Sequence, residues 1–295
     1  MFLVFQPIQQ PVPQNPDPNR CPDEVRAFGV YLHWRVTKNA HHKPTSMVLT
    51  PQAHAIVADY GKGTLDYLDE RGETTFSVNT LKPFALLLTS SGSVIVADRR
   101  SKTLVFLEGP EAEIVSRWES GSFEWVGGLG SLRNGNLVVS DRSDCRIGVY
   151  TPDGRKVLEF GSYGTGDDNI CMADFLAVDS KDRIIVSDSA NHCIKVFDAT
   201  GAKLTSFSGR GSSDGLLAWP KGVCVDRADN IIVSDSKNGR LSMFSTSGDF
   251  IKHLVSGVRN PFGVCHQSES DTIGVTHYAI SGYSQCDVYR LNQYI

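Results

Sequence analysis

Five aspartates recur along this chain, each closing a short aliphatic run. They are Asp59 after Ile56-Val57-Ala58, Asp98 after Val94-Ile95-Val96-Ala97 and Asp141 after Leu137-Val138-Val139-Ser140. Asp188 follows Ile184-Ile185-Val186-Ser187, and Asp235 follows Ile231-Ile232-Val233-Ser234. Carboxylates in such number could ligate a metal or shuttle a proton. Their regular spacing argues for a duller role. Successive aspartates lie 39, 43, 47 and 47 residues apart, and a degraded copy, Ile273-Gly274-Val275-Thr276-His277, ends 42 residues further on. An acid repeated once per unit is expected to cap a loop by accepting backbone N–H groups. His277 reads as degeneration of a terminal repeat.

Other candidates for chemistry are weaker. Gly161-Ser162-Tyr163-Gly164-Thr165-Gly166 lacks the Gly-Lys-Ser/Thr ending of a phosphate loop and reads as a flexible connection. Asp167-Asp168-Asn169 lacks the ligand spacing of a calcium loop. The seven cysteines are odd in number and include no C-x-x-C pair, so neither a disulfide framework nor a zinc site is expected. No metal or cofactor site is assigned. What remains is a set of bases and aromatics. Just beyond the repeated acid lie Lys62; Arg99, Arg100 and Lys102; Arg142 and Arg146; His192; Lys237 and Arg240. Around the next upstream strand start lie Lys43, Lys82, Phe84, Trp125, Trp219, Lys221, Arg259 and Phe262, together with Asp174. Bases for phosphates beside rings for nucleobases are what single-stranded nucleic-acid recognition needs.

The elements that must position these residues follow from the period. Repeats of about forty residues made of short β-prone runs are expected of a propeller with one four-stranded blade per repeat. In each repeat the aspartate ends a second strand. Eight residues after each aspartate come Tyr67, Phe106, Val149, Val196 and Met243, each in a third strand. A turn with glycine and a fourth strand follow. The first strand begins upstream, at Pro44, Pro83, Pro220 and Pro261 in four of the repeats, since proline suits a strand's first residue. The expected fold is all-β: a six-bladed β-propeller of four-stranded antiparallel blades, closed by an N-terminal strand that completes the last blade. Residues 22–28 are taken as that strand, because Glu24-Val25-Arg26-Ala27-Phe28-Gly29 resembles the fourth-strand end Val157-Leu158-Glu159-Phe160-Gly161. Residues 1–21 read as a Pro-rich extended tail and 22–295 as the propeller. Tyr31, Trp34, Arg35, Lys38, His41 and His42 then fall in a loop before blade one.

Strands called a to d from the axis outward give the ring two faces. The b–c and d–a loops share one, here the top, and that face collects the bases above. The other face is acidic, with Asp69, Glu70, Glu73, Glu108, Glu111 and Asp153 among its loops. The formal net charge of −4 therefore hides a bipolar molecule. The innermost strands are small and apolar, with a lone His266 near the bottom, which argues against metal-dependent chemistry in the axial channel. No run approaches membrane-spanning length and no signal peptide is evident, so a cytoplasmic location is expected.

Pro220-Lys221-Gly222-Val223-Cys224-Val225-Asp226, Asn230-Ile231-Ile232-Val233-Ser234-Asp235 and Asn191-His192-Cys193-Ile194 resemble NHL repeats. The resemblance is strong in repeats four and five and weaker in one, three and six. A six-blade layout of this kind is similar to the C-terminal domains of TRIM–NHL proteins, in which a propeller that binds RNA or protein follows a RING ubiquitin ligase and a coiled coil. No RING, B-box or heptad stretch occurs in these 295 residues, so any ligase chemistry would lie outside them. The resemblance implies an RNA-binding domain acting in post-transcriptional regulation. The bases and rings named above would then contact single-stranded or hairpin-loop RNA. The alternative it implies is a monomeric protein-interaction propeller that brings substrates or partners to a ligase.

Overall fold

The computed structural model describes residues 26–27, 30–38, 42–52, 54–79, 81–109, 111–118, 123–278 and 284–291. They form six antiparallel sheets and no helix. Blades one to five span residues 44–78, 83–118, 126–160, 173–207 and 220–256, each contributing strands a to d in chain order. Blade six takes strands a to c from Pro261–Gln267, Thr272–His277 and Ser284–Leu291.

Burial explains why the runs take this form. In the first five blades strand b is buried along its whole length, because both of its faces pack against neighbouring blades. Such strands read as continuous Ile/Val runs rather than alternating ones. Strand d is exposed at alternate residues in blade four, as an edge strand with one wet face should be. At the centre, blades approach so closely that strand a needs glycine. A Cβ on Gly222 would stand 2.5 Å from the Phe262 carbonyl, and one on Gly263 would stand 2.6 Å from that of Thr45.

The ring is closed by an N-terminal strand, but not by residues 22–28. The strand β1 (Arg26–Ala27) adds a fifth strand to the rim of blade five, pairing with Val255 and Ser256. The closing strand is β2 (Val30–Lys38), which pairs with strand c of blade six from Val30↔Leu291 to Lys38↔Ser284. Tyr31, Trp34, Arg35 and Lys38 therefore lie in a strand and not in a top loop, and the Trp34 side chain is buried. His41 and the tail 1–21 lie outside the described residues.

One irregularity recurs in every blade. The pairing of strand a with strand b slips just after the first residue of strand a, between Pro44 and Ser46, Pro83 and Leu86, Val126 and Leu129, Ala173 and Phe175, Pro220 and Val223, and Pro261 and Val264. Bulges of this sort re-aim a side chain. The first residue in each slip is Thr45, Phe84, Gly127, Asp174, Lys221 or Phe262.

Candidate functional site

The repeated aspartates cap loops. Asp59 Oδ1 accepts from the backbone N–H groups of Lys43 and Lys62 at 2.9 and 3.0 Å. Asp98 accepts from Lys82 and Arg100 at 2.7 and 3.2 Å, and Asp141 from Glu124 and Ser143 at 2.8 and 3.0 Å. Asp188 accepts from Cys171 and Met172 at 3.0 and 3.1 Å, and Asp235 from Ala218 at 2.8 Å. Each acid thus fastens its b–c loop, the entry to strand a, or both.

In blades four and five the caps extend to long d–a loops that are tethered, not free. Asn191 Nδ2 bridges Asp188 and the Gly164 carbonyl at 2.7 and 3.0 Å; Asn238 Nδ2 bridges Asp235 and the Gly211 carbonyl, both at 2.8 Å. Lys195 donates to the carbonyls of Gly166 and Asn169. Arg240 donates to those of Ser213 and Leu216 at 3.2 and 3.0 Å and pairs with Asp235 at 2.8 Å. Gly161 to Gly166 is therefore part of an ordered lobe. Arg240 sits at the start of strand c with its guanidinium consumed by the loop, so it presents no free charge on the top face.

The axis is stoppered at the top. The rings of Phe84, Phe175 and Phe262 lie 5.3 to 6.2 Å apart, centroid to centroid. They come from blades two, four and six, which alternate around the ring, so the three can meet only on the axis. Phe84 and Phe262 are thus plug residues and not open stacking platforms; Phe84 is 6% exposed. Below the plug is a cavity of about 260 Å³ lined by strands a. Its thiols Cys224 and Cys265 are half-buried, and desolvation pushes Cys265 up to about 12 and Cys224 well above the ordinary thiol value. They act there as small apolar side chains. His266 Nε2 is held 3.0 Å from Asp271.

Above the plug runs a strip of alternating rings and charges. The Arg99 guanidinium lies 4.0 Å from the Phe84 ring centre and 3.3 Å from that of Trp125, with Tyr60 at 5.5 Å. Burial in this sandwich lowers its pKa to about 10. Its Nη2 is buried without a hydrogen-bond acceptor. Arg142 reaches over the same indole at 5.0 Å and pairs with Asp174 at 2.7 Å. Asp174 also holds Lys221, whose ammonium lies 5.6 Å from the Trp219 ring. The Trp219 backbone N–H donates to His192 Nδ1 at 3.1 Å, and Trp219 takes a left-handed backbone conformation, φ +54°. Burial lowers the His192 pKa. The residues Trp125 and Trp219 are 37% and 38% exposed.

The remaining bases divide. Lys62, Arg100, Lys237 and Arg259 are exposed. Lys43 and Lys82 lean over Tyr278 and Tyr60, each at 5.8 Å. Lys102 is paired with Glu124 at 2.7 Å, and Arg146, in strand c rather than a loop, with Glu159. Glu124, the tethering carbonyls and the pairing of Asp174 with Arg142 and Lys221 are what a reading of local sequence misses, because these groups reach the bases from neighbouring blades or strands.

One further constellation looks catalytic at first sight. Ser242 Oγ lies 3.1 Å from His253 Nδ1, and His253 Nε2 lies 3.1 Å from Asp214. Arg240 Nη1 also stands 3.0 Å from that Nε2. A guanidinium there opposes formation of an imidazolium, which a serine triad requires, and Ser242 is buried.

The NHL repeat family matches residues 171–197 and 217–244, the two blades with tethered loops. No curated protein matches the chain in sequence. Among solved structures, the fold is similar to a catalytically inactive virginiamycin B lyase from Staphylococcus aureus with quinupristin (TM-score 0.62, 13% identity, covering 87% of this chain and 99% of that one). It is also similar to a streptogramin B lyase (0.62, 12%, 88% and 98%) and to a protein of unknown function from Bacteroides thetaiotaomicron (0.67, 13%, 88% and 76%). Identities this low establish a shared fold and no shared chemistry. The chain is a six-bladed β-propeller that carries NHL repeats.

Proposed function

We propose that this propeller is a binding scaffold whose top face takes single-stranded RNA. The observation that carries this reading is the pair of half-exposed tryptophans, Trp125 and Trp219, each set against a cation above a closed axis. Nucleobases stack on such rings at about 1–3 kcal/mol per base. The exposed Lys62, Arg100 and Lys237 would meet phosphates. Such a scaffold would act in post-transcriptional regulation by holding a message.

The test is binding to a randomised pool of short RNA across a salt series. Enriched sequences, and an affinity falling by roughly 0.7 log units per phosphate contact for each tenfold rise in salt, support the reading. W125A and W219A should each weaken binding by about tenfold while the melting temperature holds, as expected for one lost stacking contact. Unchanged affinity in both variants refutes it.

A second reading, a protein-interaction adaptor, is favoured by the ion pairing of Lys102, Arg142, Arg146, Lys221 and Arg240, which leaves the face less basic than its composition suggests. Absence of RNA enrichment, with capture of an acidic peptide blocked by R99E, would support it.

A further inference from the structure

One buried position in strand c sets blade one apart by its charge. In the middle of strand c, opposite Val57, Val96, Val139, Val186 and Val233, the first five blades carry Asp66, Val105, Gly148, Lys195 and Ser242. In blade four the occupant is a cation, Lys195, placed 3.3 Å from the cap acid Asp188. In blade one it is a second acid. Ligand atoms of Asp66, Asp59 and His42 all lie within 4.8 Å of one another. Asp59 and Asp66 are each 1% exposed. Two buried carboxylates this close repel each other, and a cation between them reverses the sign of that interaction.

A second observation points the same way. Thr64 stands directly opposite Asp59 and two residues before Asp66, so strand alternation puts all three on one face. That face is the seam with blade six, where Val57 and Leu68 pack against Trp34 and Val288. The Thr64 hydroxyl there is buried and has no hydrogen-bond partner. Asp59 meanwhile divides its labour. Its Oδ1 serves the Lys43 and Lys62 amides, and its Oδ2 faces His42 Nδ1.

The geometry points to a divalent metal site formed by His42 Nδ1, Asp59 Oδ2 and Asp66, with the Thr64 hydroxyl or a water completing the shell. One imidazole with two carboxylates suits a borderline ion such as Zn²⁺, less well Mn²⁺, and not Ca²⁺, which takes oxygen alone. The ion would staple the connector from β2 to the first blade, since the His42 carbonyl also accepts from Ser284 Oγ of blade six at 2.7 Å. No spacing in the sequence announces this. His42 and Asp66 are brought together by the fold of blade one, where the cap acid Asp59 fastens the entry to strand a beside strand c.

The test uses the whole chain stripped with chelator and titrated calorimetrically with ZnCl₂, MnCl₂ and CaCl₂. One Zn²⁺ per chain is expected, bound more tightly than Mn²⁺, with Ca²⁺ inert and the melting temperature raised by zinc. D66N and H42Q should each lower zinc affinity more than tenfold. Co²⁺ substitution gives a second readout, with visible bands expected in the parent and absent in H42Q. Failure of the parent to bind Zn²⁺ or Mn²⁺ overturns the proposal. So does uptake that D66N and H42Q both retain, which would place the zinc on other histidines. If one variant fails to fold, the other and the cobalt spectrum decide.

Discussion

Blades five and six face the same mechanical problem with different chemistry. In blade five, four contiguous strands need only their loops fixed. Asp235 does this locally, taking the Ala218 amide, the Asn238 side chain and Arg240. Blade six is assembled from both ends of the described chain. There His277 occupies the acid's place, its Nδ1 directed at the Arg259 carbonyl and its Nε2 3.1 Å from Asp287. The acid has moved to strand c. Asp287, fully buried, is gripped by Arg35 of β2 through two hydrogen bonds of 2.7 and 2.8 Å and accepts from Tyr289 at 2.9 Å. A repeat that closes on itself can spend its acid on a loop. A repeat that must catch a strand from 252 residues away uses the acid as the catch.

The largest test of this contrast is Asp287→Ala. It leaves the buried Tyr289 hydroxyl and His277 without their acceptor and removes the partner of a partly exposed Arg35, and should cost about 3 kcal/mol, the sum of several unsatisfied buried groups. A urea melt that shifts no more than that of an exposed-loop variant would show that closure rests on strand pairing alone. Next is His277→Asp, which restores the repeat's own consensus. It places a second carboxylate near Asp287 and is expected to destabilise by about 2 kcal/mol or more, despite looking like a repair. Stabilisation would mean that blade six tolerates a regular cap. Asp235→Ala should cost about 1–3 kcal/mol, the penalty for leaving buried donors unsatisfied. Thermal melts would rank it below Asp287→Ala.

Acid should separate the two blades as well. Burial alone would raise the Asp287 pKa, but Arg35 and His277 outweigh it and hold the carboxyl well below the usual range. A depressed folded pKa gives stability that is fully present above the unfolded value, about 3.9, and lost as pH falls through the folded one. Urea melts from pH 5 to pH 2 should therefore show a slope in the parent that Asp287→Asn reduces. The smallest effect belongs to Arg146→Ala, which removes a largely exposed pair with Glu159 and should stay within about 0.5 kcal/mol.

The fold was legible because six copies of one burial pattern leave six copies of one residue pattern. A run such as Ile231-Ile232-Val233-Ser234-Asp235 is apolar on both faces because blades flank it on both faces. The closing strand was misplaced for lack of the same redundancy. Residues 24–29 look like a strand-d end, yet Val30, Leu32, Trp34 and Val36 carry the two-residue alternation of a strand, and that was the better signal. At the top face, composition counted charges without their partners. Arg240 is spent on carbonyls of the preceding loop, and Arg142 and Lys221 share Asp174 across blade boundaries. Phe84 and Phe262 were visible as rings, but only the axis shows that they meet.

The antiparallel seam also has a direction. Val30 faces Leu291, and Lys38 faces Ser284. Tension applied through the backbone outside residues 30 and 291 arrives at one end of this ribbon and parts its hydrogen bonds in succession, like a zipper. The same ribbon pulled between residues 30 and 284 would have to shear all its bonds at once. A closure held by paired strands and a buried acid is thus weakest to a pull from its own two ends.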